Sequence, residues 1–194
     1  MTSGMDSDMT SGMTSGMAGA PAGGPPLPEP PPTAPPDPHH LLSAYLDYYR
    51  DTVLRKLEGL GEEELRRSRL PSGWTPLELI HHLACVERRW FRWGFLAEPV
   101  EDPWADQDAD GRWHVPDGTT AEEVVARFRA ECARSREITA SASLTDRAAP
   151  GGRFATGEEA PALAWILFHV LQEYARHAGH LDVVRELADG TTGE

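Results

Sequence analysis

The chain has 194 residues, with 18 basic and 31 acidic side chains, a net charge of -13 and only two cysteines. A surface this acidic repels phosphate backbones, which argues against a nucleic-acid-binding protein, and two cysteines are too few for a disulfide framework. No apolar run approaches the roughly 18 residues that a membrane-spanning helix needs, so we expect no membrane partner.

The first 38 residues differ in composition from the rest of the chain. They contain all five methionines, ten of the 17 prolines, and no lysine or arginine. Their few apolar side chains follow no helical or strand period, so they cannot offset the entropy that is lost on folding. We therefore predict a disordered tail over residues 1–38 and one folded domain over residues 39–190, with polyproline II character between Pro25 and Pro36. Neither a secretory nor a twin-arginine signal is found, so we expect a cytoplasmic location.

Four segments of the domain are predicted to be helical. Apolar residues recur with a helical period from Leu41 to Leu57, which indicates the first helix. The second runs from Thr75 to about Leu96 and the third from Thr120 to about Ile138, and each opens with a capping box of Thr followed three residues later by Glu. The fourth runs from Ala160 or Pro161 to Leu187 and ends before Gly190.

The segments between the helices carry no alternating strand pattern. Residues 98–118 contain three prolines, several acids, Trp104 and Trp113, and are typical of an irregular excursion or a short hairpin. The chain is therefore predicted to be an all-α four-helix bundle. Cys85 and Cys132 lie in apolar helical patterns, which favours buried free thiols. Gly151-Gly152 is a lone turn signal without the spacing of a phosphate-binding loop.

A polar stripe marks the fourth helix. At 100° per residue, His169, Glu173, His177 and His180 fall within an arc of about 80°, which also contains Ile166 and other apolar residues. These polar groups therefore share the face that should be buried. A buried carboxylate without a partner costs several kcal/mol, so something must satisfy it.

The second helix supplies a histidine to the same interior. His82 shares its face with Leu79, Val86, Trp90 and Trp93, whereas His81 points about 100° away and is predicted to lie at the edge or in solvent. Trp90 and Trp93 are expected to form an apolar pocket wall.

Two interpretations of these polar residues stay open on spacing alone. An inward histidine is often a hydrogen-bonded core residue, and a Glu-His pair four residues apart is often a weak helix-stabilising pair. Alternatively, Glu173 and His177 on adjacent turns, with His82 from a facing helix, can bind one divalent ion and leave a coordination position open. His180 and His169 would then orient the ligands or carry protons.

Three stretches of this sequence resemble the DinB-like superfamily. They are WTPLELIHHLACVERRWF (Trp74 to Phe91), the Pro103-Trp104 and Trp113 to Pro116 pieces, and LAWILFHVLQEYARHAGHLDVVREL (Leu163 to Leu187). The nearest branch is the uncharacterised one typical of mycothiol-producing bacteria. The resemblance extends from Leu41 to Gly190 and implies a bundle of up-down-down-up type with one divalent ion at its centre.

The resemblance also implies a ligand set and a chemistry. Aligned motif by motif, it places the ligands on His82, Glu173 and His177, as in the metal-binding domain of mycothiol-dependent maleylpyruvate isomerase. The expected ion is zinc, with nickel as the alternative. Relatives include thiol-dependent isomerases and transferases, in which the metal binds the thiol and stabilises its thiolate.

The leading hypothesis is a mycothiol-dependent S-transferase that acts on small electrophiles. One alternative is a metal-dependent hydrolase, in which the ion activates water. Another is a non-catalytic, stress-associated binding bundle whose metal is structural and closed by a fourth protein ligand. Apolar helix faces beyond those needed for one core also predict a homodimer.

Overall fold

The computed structural model describes residues 28–31, 33 and 37–192. Its helices, in chain order, are α1 (Pro38–Arg55), α2 (Glu62–Leu65), α3 (Pro76–Glu87), a π-helical segment (Arg88–Phe95) that continues α3, α4 (Ala121–Ala140) and α5 (Leu163–Asp189). Within these residues the only β pairing consists of isolated bridges. The all-α bundle is thus confirmed, while most of the predicted disordered tail lies outside the described residues.

The four long helices enclose one apolar core. α1 packs mainly on α5, and α3 packs mainly on α4, with the π-helical segment also touching α4 and α5. Leu46, Ile80, Phe128 and Ile166 are representative of the side chains buried at the centre. No helix among the described residues is long and apolar enough to cross a lipid bilayer.

Capping signals in the sequence locate the helix starts. Thr75 accepts a hydrogen bond from the Glu78 backbone while the Glu78 carboxylate accepts one from the Thr75 backbone, and Thr120 and Glu123 do the same at α4. Both capping boxes are therefore confirmed. The predicted start of the first helix at Leu41 was three residues late, because Asp37 accepts a hydrogen bond from the His40 backbone and Pro38 opens the helix.

The largest departure from the predicted elements is the π-helical segment Arg88–Phe95. The backbone N–H of Leu96 reaches the carbonyl of Phe91, five residues back, at 3.2 Å. A π-helix turns less per residue than an α-helix, so a wheel drawn at 100° per residue fails beyond Glu87.

A buried polar network joins the four long helices. Arg50 on α1 donates two hydrogen bonds of 2.8 Å to the carboxylate of Glu87 on α3, and Tyr174 on α5 donates a third at 2.6 Å. Glu87 and Tyr174 are fully buried and Arg50 is 3% exposed. Cys132 on α4 lies 3.7 Å from Glu87 and Tyr174. This network was not predicted from the sequence, because no local spacing shows that these residues, which come from different helices, contact one another.

Candidate metal centre

The three predicted ligands meet inside the bundle. His82 comes from the second turn of α3, and Glu173 and His177 come from the middle of α5. Each offers one ligand atom, and the three atoms lie within 4.8 Å of one another. The shortest of the contacts joins His177 Nε2 and Glu173 Oε2 at 3.3 Å.

This donor set fits a divalent transition metal. Two donors that each bind one ion at about 2.0–2.2 Å with a near-tetrahedral angle are roughly 3.4 Å apart, close to the separation of His177 and Glu173. Two imidazoles and one carboxylate are ligands that zinc accepts readily. Among the described residues, the cluster comprises only these three side chains, which leaves room for a further ligand from outside the protein.

The ring of His82 is oriented by a residue that the sequence analysis missed. Asp106, in the excursion between the π-helical segment and α4, contacts His82 Nδ1 through Oδ2 at 2.7 Å. Asp106 is itself fully buried and accepts two hydrogen bonds of 3.1 Å from Arg89. This arrangement leaves Nε2 of His82 as the ring atom available to an ion.

The local pKa shifts favour a neutral imidazole on His82 and ionised carboxylates on Asp106 and Glu173. Burial alone would raise the pKa of Asp106, but hydrogen bonds from His82 and Arg89 outweigh it and leave the pKa lowered. Burial lowers the pKa of His82, so its imidazole is neutral near pH 7. The pKa of Glu173 is lowered chiefly by its hydrogen bond with His177. A neutral imidazole beside an ionised carboxylate is the state in which both can bind a cation.

Replacing Asp106 with asparagine is expected to weaken metal binding by about 10- to 100-fold, because an amide cannot fix the imidazole as a carboxylate does. Competition with a chromophoric chelator measures the affinity. The matched control is Asp108→Asn, since Asp108 lies in the same excursion but caps a turn through the backbone of Asp110 and Arg112. Equal affinities of the Asp106 and Asp108 variants would show that Asp106 does not support the site.

The two histidines predicted to surround the ligands lie beside them. His180 Nδ1 lies 3.3 Å from Nδ1 of His177, and His169 Nε2 lies 3.6 Å from Oε1 of Glu173. Neither joins the cluster of ligand atoms. They are therefore placed to orient His177 and Glu173 rather than to close the site.

Tryptophans cover the centre from two sides. Trp113 stacks on His82 with ring centres 4.3 Å apart and also contacts the edge of His177. Trp90 lies 4.3 Å from the ring centre of His169. Trp93 lies against the turn at Gly152, and both Trp90 and Trp93 lie near the Arg153 guanidinium. That these two tryptophans form a pocket wall stays a prediction.

His81 is buried, so the prediction that it lies at the edge or in solvent was wrong. It is only 5% exposed, and its Nε2 lies 3.1 Å from the carbonyl oxygen of Ala105. A helical wheel predicts a position at the edge or in solvent, because it does not include the excursion that folds over this side of α3. His81 nevertheless stays outside the ligand cluster.

The protein's own thiols are unsuited to nucleophilic attack. Cys85 and Cys132 are free and buried, as predicted. Burial raises the pKa of Cys85 to about 11 and that of Cys132 further still. Both therefore stay protonated at neutral pH.

A polar cavity of about 650 Å³ is lined by Trp74 and by Trp113, the residue that stacks on His82. Trp74 also lies 6.0 Å from the ring centre of His180. Charged and polar side chains line the rest of the cavity; these include Glu78, Asp108, Arg112 and His114. The volume is ample for a small hydrophilic molecule.

Comparison with known proteins agrees with this site. A family model described as mycothiol-S-transferase matches residues 41–190, which include all of the bundle except the first three residues of α1. No curated protein matches the chain. The match covers well over half of the chain and includes all three residues of the cluster, and it is consistent with the DinB-like resemblance noted in the sequence. The chain belongs to the mycothiol-S-transferase family.

Proposed function

We propose that the protein is a metal-dependent S-transferase that joins the thiol of mycothiol to small electrophiles. The observation that carries this proposal is the His82, Glu173 and His177 cluster, with one ligand atom from each within 4.8 Å, in a member of the mycothiol-S-transferase family. A zinc ion is the best fit to two imidazoles and one carboxylate, and nickel is the alternative.

A divalent ion bound there would lower the pKa of a thiol ligand, so that the thiolate prevails at neutral pH. The residues around it have separate tasks. Asp106 holds the His82 ring, and His180 and His169 contact the other two ligands. Trp113 and Trp90 restrict the access of water to the centre.

The nucleophile has to come from outside the chain. Cys85 and Cys132 are buried with raised pKa values, so neither supplies a thiolate. The pocket beside Trp113 provides space for the hydrophilic part of a thiol, and Trp113 stacks on the ligand His82. Mycothiol is such a compound, because its cysteine thiol is carried on a polyhydroxylated sugar conjugate.

The ligand cluster also bears on the two alternative functions, a non-catalytic bundle with a structural metal and a metal-dependent hydrolase. A structural metal would normally have a fourth protein ligand, and His169 and His180 lie outside the cluster of described residues. A hydrolase would share the same three ligands, so only activity separates it from a transferase.

The test is turnover by zinc-reconstituted protein with mycothiol and chloroacetamide, compared with a panel of esters and amides. We expect thiol consumption above the uncatalysed rate, lower activity with glutathione, and no hydrolysis when the thiol is omitted. Hydrolysis that ignores mycothiol would identify a hydrolase and contradict the proposal.

Other expectations from the sequence stay predictions. These are a cytoplasmic location, the lack of nucleic-acid partners and a homodimer. The exposed apolar side chains of α5, which a second copy could cover, are Trp165, Phe168, Val183 and Leu187. Sedimentation velocity of the purified protein measures the oligomeric state.

A further inference from the structure

A glycine turn before α5 is built onto the π-helical segment. Gly151 and Phe154 form an isolated antiparallel bridge, and the backbone N–H of Arg153 donates to the carbonyl of Trp93 at 3.3 Å. Gly152 has a φ of +37°, and a Cβ there would collide with the Trp93 carbonyl and come within 2.9 Å of Ala97 Cα. Only glycine lets the turn pack this closely.

The turn presents the side chain of Arg153 to the π-helical segment. Arg153 packs over Gly94, where a Cβ would make an ordinary contact of 3.8 Å with Arg153 Cδ and a tight one of 3.0 Å with the Arg89 carbonyl. The glycine turn therefore sets one arginine side chain against the segment. Such locally widened helices often occur at functional sites.

The guanidinium of Arg153 lies among tryptophans. Its Cζ is 4.2 Å from the ring centre of Trp90, 5.7 Å from that of Trp104 and 5.9 Å from that of Trp93. Arg89 is packed in a similar way over Trp104 but also pairs with Asp106. Among residues 37–192, no ion pair or hydrogen bond of the Arg153 guanidinium is found.

A half-buried cation without a partner is unusual in a chain with a net charge of -13. Burial, and then repulsion by Arg89, lower the pKa of the Arg153 guanidinium. Stacking uses the face of the guanidinium, whereas its N–H groups point outward in its plane and can bind a carboxylate with two hydrogen bonds. The Arg153 guanidinium can therefore bind an anion, and no acidic side chain of residues 37–192 pairs with it.

A chain of contacts through Trp90 and His169 links this guanidinium to the metal centre. Trp90 contacts both Arg153 and the imidazole of His169, and His169 lies 3.6 Å from the Glu173 carboxylate. The polar cavity lies at the other end of the centre, beside Trp113 and Trp74. Along α5, His169 precedes Glu173 and His180 follows His177, so the two regions flank the ligands from opposite directions.

We infer that Arg153 recognises a carboxylate on the electrophilic substrate, so that the natural electrophiles are small organic acids. This inference rests on the proposed transferase activity. The thiol then binds on the side of Trp113 and the electrophile on the side of Trp90. The thiolate sulfur attacks the reacting carbon between these two sides.

Chloroacetate and chloroacetamide test the inference, because they share the reacting carbon and the leaving group and differ in charge. In both, the mycothiol thiolate forms an S–C bond as the C–Cl bond breaks, and chloride leaves with the electron pair. Arg153→Gln is expected to lower kcat/KM for chloroacetate by about 10- to 100-fold and that for chloroacetamide by less than about threefold. Arg153→Lys should lie between Arg153→Gln and the parent protein with chloroacetate. Arg129→Gln, which removes an exposed arginine of α4, should change neither substrate.

Equal losses on both substrates, or none on chloroacetate, would overturn the inference. A second measurement separates it from the proposed function. Acetate, as an unreactive carboxylate, should change the tryptophan fluorescence of the parent protein saturably and that of Arg153→Gln not at all, because the guanidinium contacts three tryptophans. If neither chloro compound is consumed, the transferase proposal fails and this titration alone decides whether Arg153 binds carboxylates; no saturable change in the parent protein would refute it.

Discussion

Replacing His177 with alanine is expected to reduce the bound divalent metal from about one ion per chain to less than about a tenth, since two remaining donors hold zinc far more weakly than three. His177 supplies the ligand atom nearest to Glu173, and His82 is the one other histidine of the described residues in the cluster. Elemental analysis after reconstitution and gel filtration measures the ratio. The thiol-dependent activity should disappear with the metal.

His40→Ala is the matched control for this loss. His40 is an exposed histidine in the first turn of α1, and only its backbone takes part in the cap with Asp37. Its removal should leave the metal content unchanged. Glu173→Gln adds a variant of nearly unchanged size that removes the carboxylate charge. A His177→Ala protein that still binds one ion per chain would show that the ion lies elsewhere.

Arg50→Met is expected to have the largest effect on stability. It leaves the Glu87 carboxylate buried without its cationic partner, which costs about 3–5 kcal/mol of the free energy of unfolding. For a domain of this size, the melting temperature should fall by roughly 10 °C or more. Tyr174 still donates to Glu87, but one hydroxyl does not neutralise a buried charge. Thermal and denaturant unfolding followed by circular dichroism measure both quantities.

Two further variants separate the buried pair from ordinary surface ion pairs. Arg134 contacts Glu98 and Glu137 at the surface, so Arg134→Ala should leave the free energy of unfolding nearly unchanged. Adding Glu87→Gln to Arg50→Met removes both buried charges and keeps an acceptor for Tyr174, which should recover part of the lost stability. An Arg50→Met protein as stable as the parent would contradict this account of the core.

The four long helices were predictable from the sequence because the signals that start and stop a helix are local. The capping boxes at Thr75 and Thr120 and the stop before Gly190 each depend on a few neighbouring residues. The π-helical segment was not predictable, because its wider turn depends on packing against α4, α5 and the glycine turn rather than on any spacing in RRWFRWGF.

The ligand cluster was predictable for a different reason. His82, Glu173 and His177 lie on regular helices, where spacing along the chain determines which residues share a face. Asp106 and Trp113 lie in an excursion without a period, so their contacts with His82 depend on how that loop folds back over α3. The same loop buries His81, which a helical wheel cannot foresee.

An external thiol is expected to bind the ion held by His82, Glu173 and His177. Absorption spectroscopy of the cobalt(II)-substituted protein measures this binding, because sulfur bound to cobalt produces an intense near-ultraviolet charge-transfer band. We predict that this band grows as mycothiol is added, saturates at about one thiol per chain, and is missing in His177→Ala. Stoichiometric cobalt whose spectrum does not respond to mycothiol would contradict the account.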